Sequence, residues 1–150
     1  MAEPVVHTFE AGHPAPHADR VSLPALFYGL CAGPAAWGAQ LLLIYGLASY
    51  ACFPSEMLRD APVPGFRGIV PVLAAINVVA LAIAASGAVV SWRNWRLSQS
   101  EAKGAGRHLL EAGEGRTRFI SVWGVLTGAG FFVAIAFDTI AVFGVPLCGS

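Results

Sequence analysis

Three strongly polar side chains lie within otherwise apolar stretches of the sequence: Gln40, Asn77 and Asp138. In a membrane, amide side chains can join helices by hydrogen bonds, and a carboxyl group can relay protons. An uncompensated carboxylate inside the hydrocarbon layer of a membrane costs about 3 kcal/mol or more, so Asp138 should be hydrogen-bonded or uncharged. We interpret the three residues as an intramembrane polar cluster that fixes helix register. The alternative is a proton pathway, for which a single acid is a poor relay.

Two cysteines form a second candidate site, because Cys52 and Cys148 each follow directly after an apolar stretch. They can form a disulfide if both lie on the oxidising side of a membrane. The alternatives are two unpaired thiols or a metal site. A metal site would need further ligands, and the neighbouring segments offer only Met57 and no histidine. Cys31 lies within the first apolar stretch, and we interpret it as a small buried packing residue.

The histidines all lie outside the apolar stretches, at positions His7, His13, His17 and His108. Haem held between membrane helices usually requires axial histidines within them, so we expect no such haem. The sequence also contains no Cys-x-x-Cys-His haem attachment, no phosphate-binding loop, no nucleophile elbow and no His-Glu-x-x-His zinc motif. We therefore expect no cofactor, no metal and no catalytic residues, and predict that the chain is not itself an enzyme.

Composition indicates the class of protein that must position these residues. The chain has 150 residues, of which 56% are hydrophobic and only 12% are charged. A soluble domain of this size normally has about a quarter of its residues charged, so we predict an integral membrane protein. The formal net charge of zero argues against a nucleic-acid partner. Three cysteines are too few for a secreted domain built on disulfides.

The apolar stretches predict an all-α protein with three transmembrane helices, at about residues 25–50, 68–92 and 119–145. Each is long enough to cross the hydrocarbon layer at about 1.5 Å per residue. Residues 1–23 should form a flexible polar tail, and residues 24–149 the transmembrane domain. Pro34 should kink the first helix. The connection formed by residues 93–118 should carry a short surface helix over residues 98–112.

Basic residues predict the orientation, because cytoplasmic segments carry an excess of lysine and arginine. The tail and the connection of residues 93–118 hold seven of them, whereas the first connection holds only Arg59 and Arg67. This asymmetry places the amino terminus and the second connection in the cytoplasm and the carboxyl terminus in the periplasm. Cys52 and Cys148 then share the oxidising side, so we expect a disulfide. The seven residues are Arg20, Arg93, Arg96, Lys103, Arg107, Arg116 and Arg118.

Small residues recur four positions apart on all three predicted helices. Such spacing lets helix backbones approach closely, and close packing holds helices together in lipid. Three helices cannot easily bury all of these faces among themselves, which favours a partner. The pairs that we assign to helix packing are Gly29 with Gly33, Ala80 with Ala84, and Gly124 with Gly128, and a further pair is Gly130 with Ala134.

Four short segments carry a resemblance to known proteins: Gly33-Pro34-Ala35-Ala36-Trp37, Tyr50-Ala51-Cys52-Phe53-Pro54, Gly115-Arg116-Thr117-Arg118-Phe119 and Val145-Pro146-Leu147-Cys148. Through them the chain resembles a group of small, mostly uncharacterised bacterial membrane proteins that are associated with haem–copper terminal oxidases. The resemblance covers roughly residues 24–149. It implies a supporting subunit or an assembly helper of a respiratory complex, and it supplies no catalytic residues.

The leading hypothesis is therefore a non-catalytic accessory subunit of a bacterial respiratory membrane complex, with a haem–copper cytochrome c oxidase as the first candidate. Such a subunit would stabilise the complex by helix packing. The expected partners are the larger subunits of that complex and lipids, and the expected location is the bacterial inner membrane. One alternative is a transient oxidase assembly factor. Another is a small oligomeric proton or solute channel, and Pro34 and Asp138 are the features in favour of the channel.

Overall fold

The computed structural model describes residues 21–53, 61–66, 68–104 and 112–148. Within these ranges the chain forms three long helices: α1 (Leu23–Cys52), α2 (Ile69–Gly104) and α3 (Ala112–Gly144). A short 3₁₀ turn at Pro64–Phe66 lies between the first two. The described residues contain no β-strand. The predicted all-α class is therefore confirmed.

The ends of α1 follow from its local sequence. Ser22 precedes the helix in an extended conformation, with φ −69° and ψ 138°, and its carbonyl accepts hydrogen bonds from the N–H groups of Ala25 and Leu26. Pro24 lies in the first turn, where a missing N–H does no harm and the fixed φ suits a helix start. At the other end, the N–H of Phe53 donates back into the last turn at 2.8 Å, and its ψ of 60° takes the chain out of the helix.

Each of the three helices contains a stretch that is long and apolar enough to cross a membrane: Leu23–Cys52, Ile69–Ser98 and Thr117–Gly144. Many large apolar side chains point away from the bundle, and Leu42, for example, is 77% exposed. Lipid solvates such a surface, whereas a soluble protein rarely exposes a large contiguous apolar patch. The prediction of three apolar helices of membrane-spanning length is confirmed.

The helices pack side by side so that each contacts the other two. α2 runs opposite to α1, because Gly29 and Gln40 lie against Ser91 and Asn77 in reverse order. α3 runs parallel to α1, because Gly33 lies against Gly128 and Cys52 is bonded to Cys148. Small side chains fill the middle of the bundle, which lets the helices approach closely. The buried residues of the middle are Ala36, Ala80, Ala84 and Ile135, and those of the end that holds the cysteine pair are Ala51, Cys52, Ile69, Leu73 and Cys148.

Two helix boundaries differ from the sequence-based prediction. α2 continues past residue 92 as far as Gly104, and α3 begins at Ala112, ahead of its predicted span. Residues 98–104 therefore belong to α2 and not to a separate surface helix. The reason is that no proline lies between Trp92 and Gly104, and the first glycine after Trp92 is Gly104 itself. Pro34 lies inside α1, and the predicted tail up to residue 20 lies outside the described residues.

Candidate functional site

A layer of polar side chains joins the three helices near the middle of the bundle, toward the cysteine pair. Gln40 Nε2 on α1 donates to Asn77 Oδ1 on α2 at 3.1 Å. The Thr139 hydroxyl on α3 lies 3.3 Å from the same oxygen and 2.9 Å from the carbonyl of Ile135 on its own helix. Gln40 and Asn77 are only 2% and 0% exposed. Because hydrogen bonds between membrane helices contribute about 0.6 kcal/mol each, the layer links the helices modestly but specifically.

Asp138 lies beside this layer and is not part of it. Its Oδ2 atom is buried and has no hydrogen-bond partner among the described residues. Of the three predicted cluster members, the structure joins Gln40 to Asn77, and α3 contributes Thr139 in place of Asp138. The reason is geometric: neighbouring positions on a helix point about 100° apart, so only one of the two residues can face Asn77.

Glycines allow the closest approach between helices, in the half of the bundle away from the cysteine pair. A Cβ atom added to Gly33 on α1 would lie 3.3 Å from the Cα atom of Gly128 on α3. A Cβ atom added to Gly128 would lie 2.9 Å from the Cβ atom of Ala88 on α2 and 3.0 Å from its backbone nitrogen. Only a glycine fits at position 128 without moving a backbone, so the three helices meet here.

The small residues assigned to helix packing all face the interior of this chain's own bundle. Gly29 and Gly124 enclose the side chain of Ser91 from two sides, and Ala80 and Ala84 are 4% and 0% exposed. The chain therefore buries these three pairs within its own bundle, and the expectation of a partner stays a prediction. Three helices bury them without help, because the paired residues lie on the sides of each helix that face the other two.

Cys52 and Cys148 form a disulfide, with their Cα atoms 5.5 Å apart, and this prediction is confirmed. The bond joins the last turn of α1 to the residues that follow α3. The described residues 61–66 between α1 and α2 pack over the same end, where the N–H of Val63 donates to the carbonyl of Ala51 at 3.2 Å. Leu73, which is fully buried, belongs to the same cluster. The disulfide thus closes one end of the bundle in apolar surroundings.

Cys31 is exposed on α1, and the expectation of a buried packing residue is wrong. Its neighbours Ala32 and Gly33 occupy the interior positions, so Cys31 falls on the outer face of the helix. In the described part of the chain, no three residues among His, Cys, Asp and Glu come together as a metal site requires. The four histidines and Met57 lie outside the described residues.

An open groove of about 360 Å³ runs along the outer junction of α1 and α2. Gln40 lines this groove, and its Oε1 atom is buried and without a partner among the described residues, since the bond to Asn77 uses only the amide nitrogen. A buried acceptor left unpaired costs about 1–3 kcal/mol. The groove therefore combines an apolar wall with a lining residue whose buried acceptor has no described partner. Its small lining residues are Ala36, Ala39, Ala75, Val79 and Ala80.

A second and more open groove, of about 370 Å³, lies along the surface of α3. Its lining includes Gly130 and Ala134, the small-residue pair that the bundle does not bury. Apart from the backbone of α3 itself, no described atom lies within 4 Å of a Cβ built at Gly130, so this position faces away from α1 and α2. Phe131 also lines the groove, and its ring centre lies 5.4 Å from that of Trp37 on α1.

Sequence reasoning missed two residues that the structure places between helices, Thr139 and Ser91. Both are small hydroxyl residues within apolar runs. Such a hydroxyl can bond to the backbone of its own helix, so the sequence alone does not indicate that it contacts another helix. A signal for Thr139 was its position directly after Asp138. The signal for Ser91 was weaker, because only the packing of two glycines against it reveals its role.

No protein-family model, curated protein or solved structure matches this chain. The grounds for a function are therefore the apolar surface of the bundle, its buried polar layer and its outer grooves.

Proposed function

We propose that the chain is a multi-pass protein of the bacterial inner membrane, with its amino terminus in the cytoplasm and its carboxyl terminus in the periplasm. Three helices of membrane-spanning length support the insertion. The excess of lysine and arginine in the tail and in residues 93–118 supports the orientation. The disulfide between Cys52 and Cys148 agrees with it, because both residues then face the oxidising periplasm.

Within that membrane, the proposed role is a non-catalytic accessory subunit of a respiratory complex, with a haem–copper cytochrome c oxidase as the first candidate. The single observation that carries the proposal is the α1/α2 groove, whose lining includes Gln40, the residue with a buried and unpaired Oε1 atom. The choice of a respiratory complex comes from the sequence resemblance. The interior glycines are occupied by the chain's own helices, so a partner must use an outer face such as this groove.

A helix of a larger subunit suits the groove better than a lipid tail does. Acyl chains fill apolar surface but carry no donor, so they would leave Gln40 Oε1 unpaired. A helix with a serine, threonine or asparagine at this level offers both apolar contact and an N–H or O–H donor. The alanines of the groove let the backbone of such a helix come close, and dispersion contacts then stabilise the complex.

Purification in a mild detergent, followed by mass spectrometry of the co-migrating proteins, tests the proposal. We expect the wild-type chain to migrate with the subunits of a respiratory complex. Ala39→Trp fills the groove and should release the chain from that complex. Leu42→Trp is the matched control, because Leu42 is 77% exposed outside the groove, and it should leave the association intact. A chain that migrates alone, in cells whose oxidase is fully active without it, would contradict the proposal.

Two other roles are separable by experiment. A transient assembly factor would be present during assembly and missing from the mature, active enzyme, whereas a subunit would persist in it. A small proton channel is favoured by the buried and unpartnered Oδ2 atom of Asp138. Measurement of proton flux in vesicles that contain the protein distinguishes a channel from both.

A further inference from the structure

Two buried N–H groups without acceptors lie on α2, toward the end of the bundle opposite the disulfide. Asn94 is only 8% exposed, and its Nδ2 atom has no hydrogen-bond partner among the described residues. The indole Nε1 atom of the next residue, Trp95, is likewise buried and unpartnered within the described chain. Burial of a donor without an acceptor costs about 1–3 kcal/mol per group. This part of the bundle therefore lacks acceptors for donors that are already in place.

Two arginines lie at nearly the same level of the bundle as these donors. The contact between Ser91 on α2 and Gly124 on α3 fixes the relative heights of the two helices. At about 1.5 Å per residue, Arg96 lies about 7.5 Å from this contact and Arg118 about 9 Å, both toward the same end. Both arginines are exposed. The guanidinium carbon of Arg96 lies 5.4 Å from the ring centre of Trp92, a cation–π contact that holds it against α2.

No described negative charge compensates these arginines. Asp138 is the single acidic side chain among those described, and it lies in the other half of the bundle. The first turn of α1 begins near the same level and contains no acidic residue, so the positive end of its helix dipole adds to the field. The described surroundings thus supply donors and positive charge, and they supply no anion.

We propose that this end of the bundle binds a phosphate oxyanion, with the headgroup of an anionic phospholipid as its source. The oxyanion would accept a hydrogen bond from Trp95 and pair with Arg96 and Arg118, and we call these three residues the basic-end site. Asn94 lies about 100° around α2 from Trp95, on the side where Gly87 meets α1, so it is not part of this site. Water could accept from the indole N–H group, but it would leave the arginine charges uncompensated. Tryptophan and arginine prefer the headgroup level of a bilayer, and basic pockets between membrane helices bind such headgroups. This proposal does not depend on the proposed role as an accessory subunit.

Native mass spectrometry of the full chain in neutral detergent tests the proposal, with phosphatidylglycerol, phosphatidylcholine and inorganic phosphate added in separate experiments. We expect phosphatidylglycerol to bind about tenfold more tightly than phosphatidylcholine. Trp95→Phe keeps an aromatic ring and removes the N–H group, and it should weaken phosphatidylglycerol binding about five- to tenfold. Trp123→Phe is the control, because it makes the same change in a ring on α3 that is 48% exposed, and it should leave binding unchanged.

A second variant guards against a folding artefact. Arg96→Gln changes an exposed side chain, so the bundle should keep its helicity and its disulfide while phosphatidylglycerol binding falls about tenfold. Saturable binding of inorganic phosphate that also depends on Trp95 and Arg96 would support the oxyanion site and assign a soluble source to it. Equal binding of the two phospholipids, unaffected by either variant and with no phosphate binding, would overturn the proposal.

Discussion

Gly128→Ala would place a methyl group against the backbone of α2, where the structure has no room for it. The added Cβ atom would lie 2.9 Å from the Cβ atom of Ala88 and 3.0 Å from both its Cα atom and its nitrogen. Two of these atoms belong to the backbone of α2 and the Cβ atom is fixed to it, so none can rotate away as the end of a long side chain can. Gly130→Ala makes the same chemical change two residues along the same helix, where no described atom outside the backbone of α3 lies within 4 Å of the added Cβ atom.

The difference between the two variants isolates the cost of the clash. Both replace glycine by alanine within α3, which favours the helix by about 0.8–1 kcal/mol. Only Gly128→Ala must also push α2 and α3 apart, and such overpacking costs about 1–3 kcal/mol. We therefore expect Gly130→Ala to be slightly more stable than the wild-type chain, and Gly128→Ala to be less stable than Gly130→Ala by about 1–3 kcal/mol.

Unfolding by dodecyl sulfate in mixed micelles, followed by circular dichroism, measures these free energies. The disulfide must stay oxidised in all samples, so that the two variants are compared with the same cross-link. Equal free energies of unfolding for Gly128→Ala and Gly130→Ala would refute the contact between the backbones of α2 and α3. Stabilisation by both variants would refute it as well.

Cys52→Ser removes the disulfide, and we expect the free energy of unfolding in micelles to fall by about 1–3 kcal/mol. The loop-entropy relation gives roughly 4.7 kcal/mol, but helices that stay inserted in a micelle are already ordered, so less entropy is at stake. A fall of the full amount would contradict that reasoning. Asn77→Leu should lower the same free energy by about 1–3 kcal/mol, and Thr139→Val by less than about 1 kcal/mol, because the threonine hydroxyl bonds mainly to its own helix. Equal costs would argue against the polar layer. Asp138→Asn should leave proton flux into vesicles unchanged, as measured with a pH-sensitive dye inside them, and a loss of flux would favour the channel.

The sequence predicted well those features that depend on residue type alone. The three apolar stretches indicated three helices, because each runs for about 25 residues with at most one charged side chain, as a membrane-spanning helix requires. The disulfide followed from counting passes, since Cys52 and Cys148 end the first and third stretches and so fall on one side. Neither prediction needed the angle at which one helix meets another.

The features that the sequence could not predict depend on helix rotation. Asp138 and Thr139 are neighbours in sequence, yet only the threonine faces Asn77. Gly128 and Gly130 are equally small, yet one touches α2 and the other faces outward. A rotation of α3 by one residue, about 100°, would exchange these roles, and composition contains no information about that angle.

The bond between Cys52 and Cys148 can also serve as a record of how each molecule entered the membrane. A molecule inserted opposite to the proposed orientation would keep both thiols in the reducing cytoplasm, where the bond does not form. Under denaturing conditions, a thiol-reactive polymer would then attach once to a correctly threaded molecule, at Cys31, and three times to an inverted one. On a gel, the intensities of the bands with one and with three attached polymers would give the fraction of molecules in each orientation.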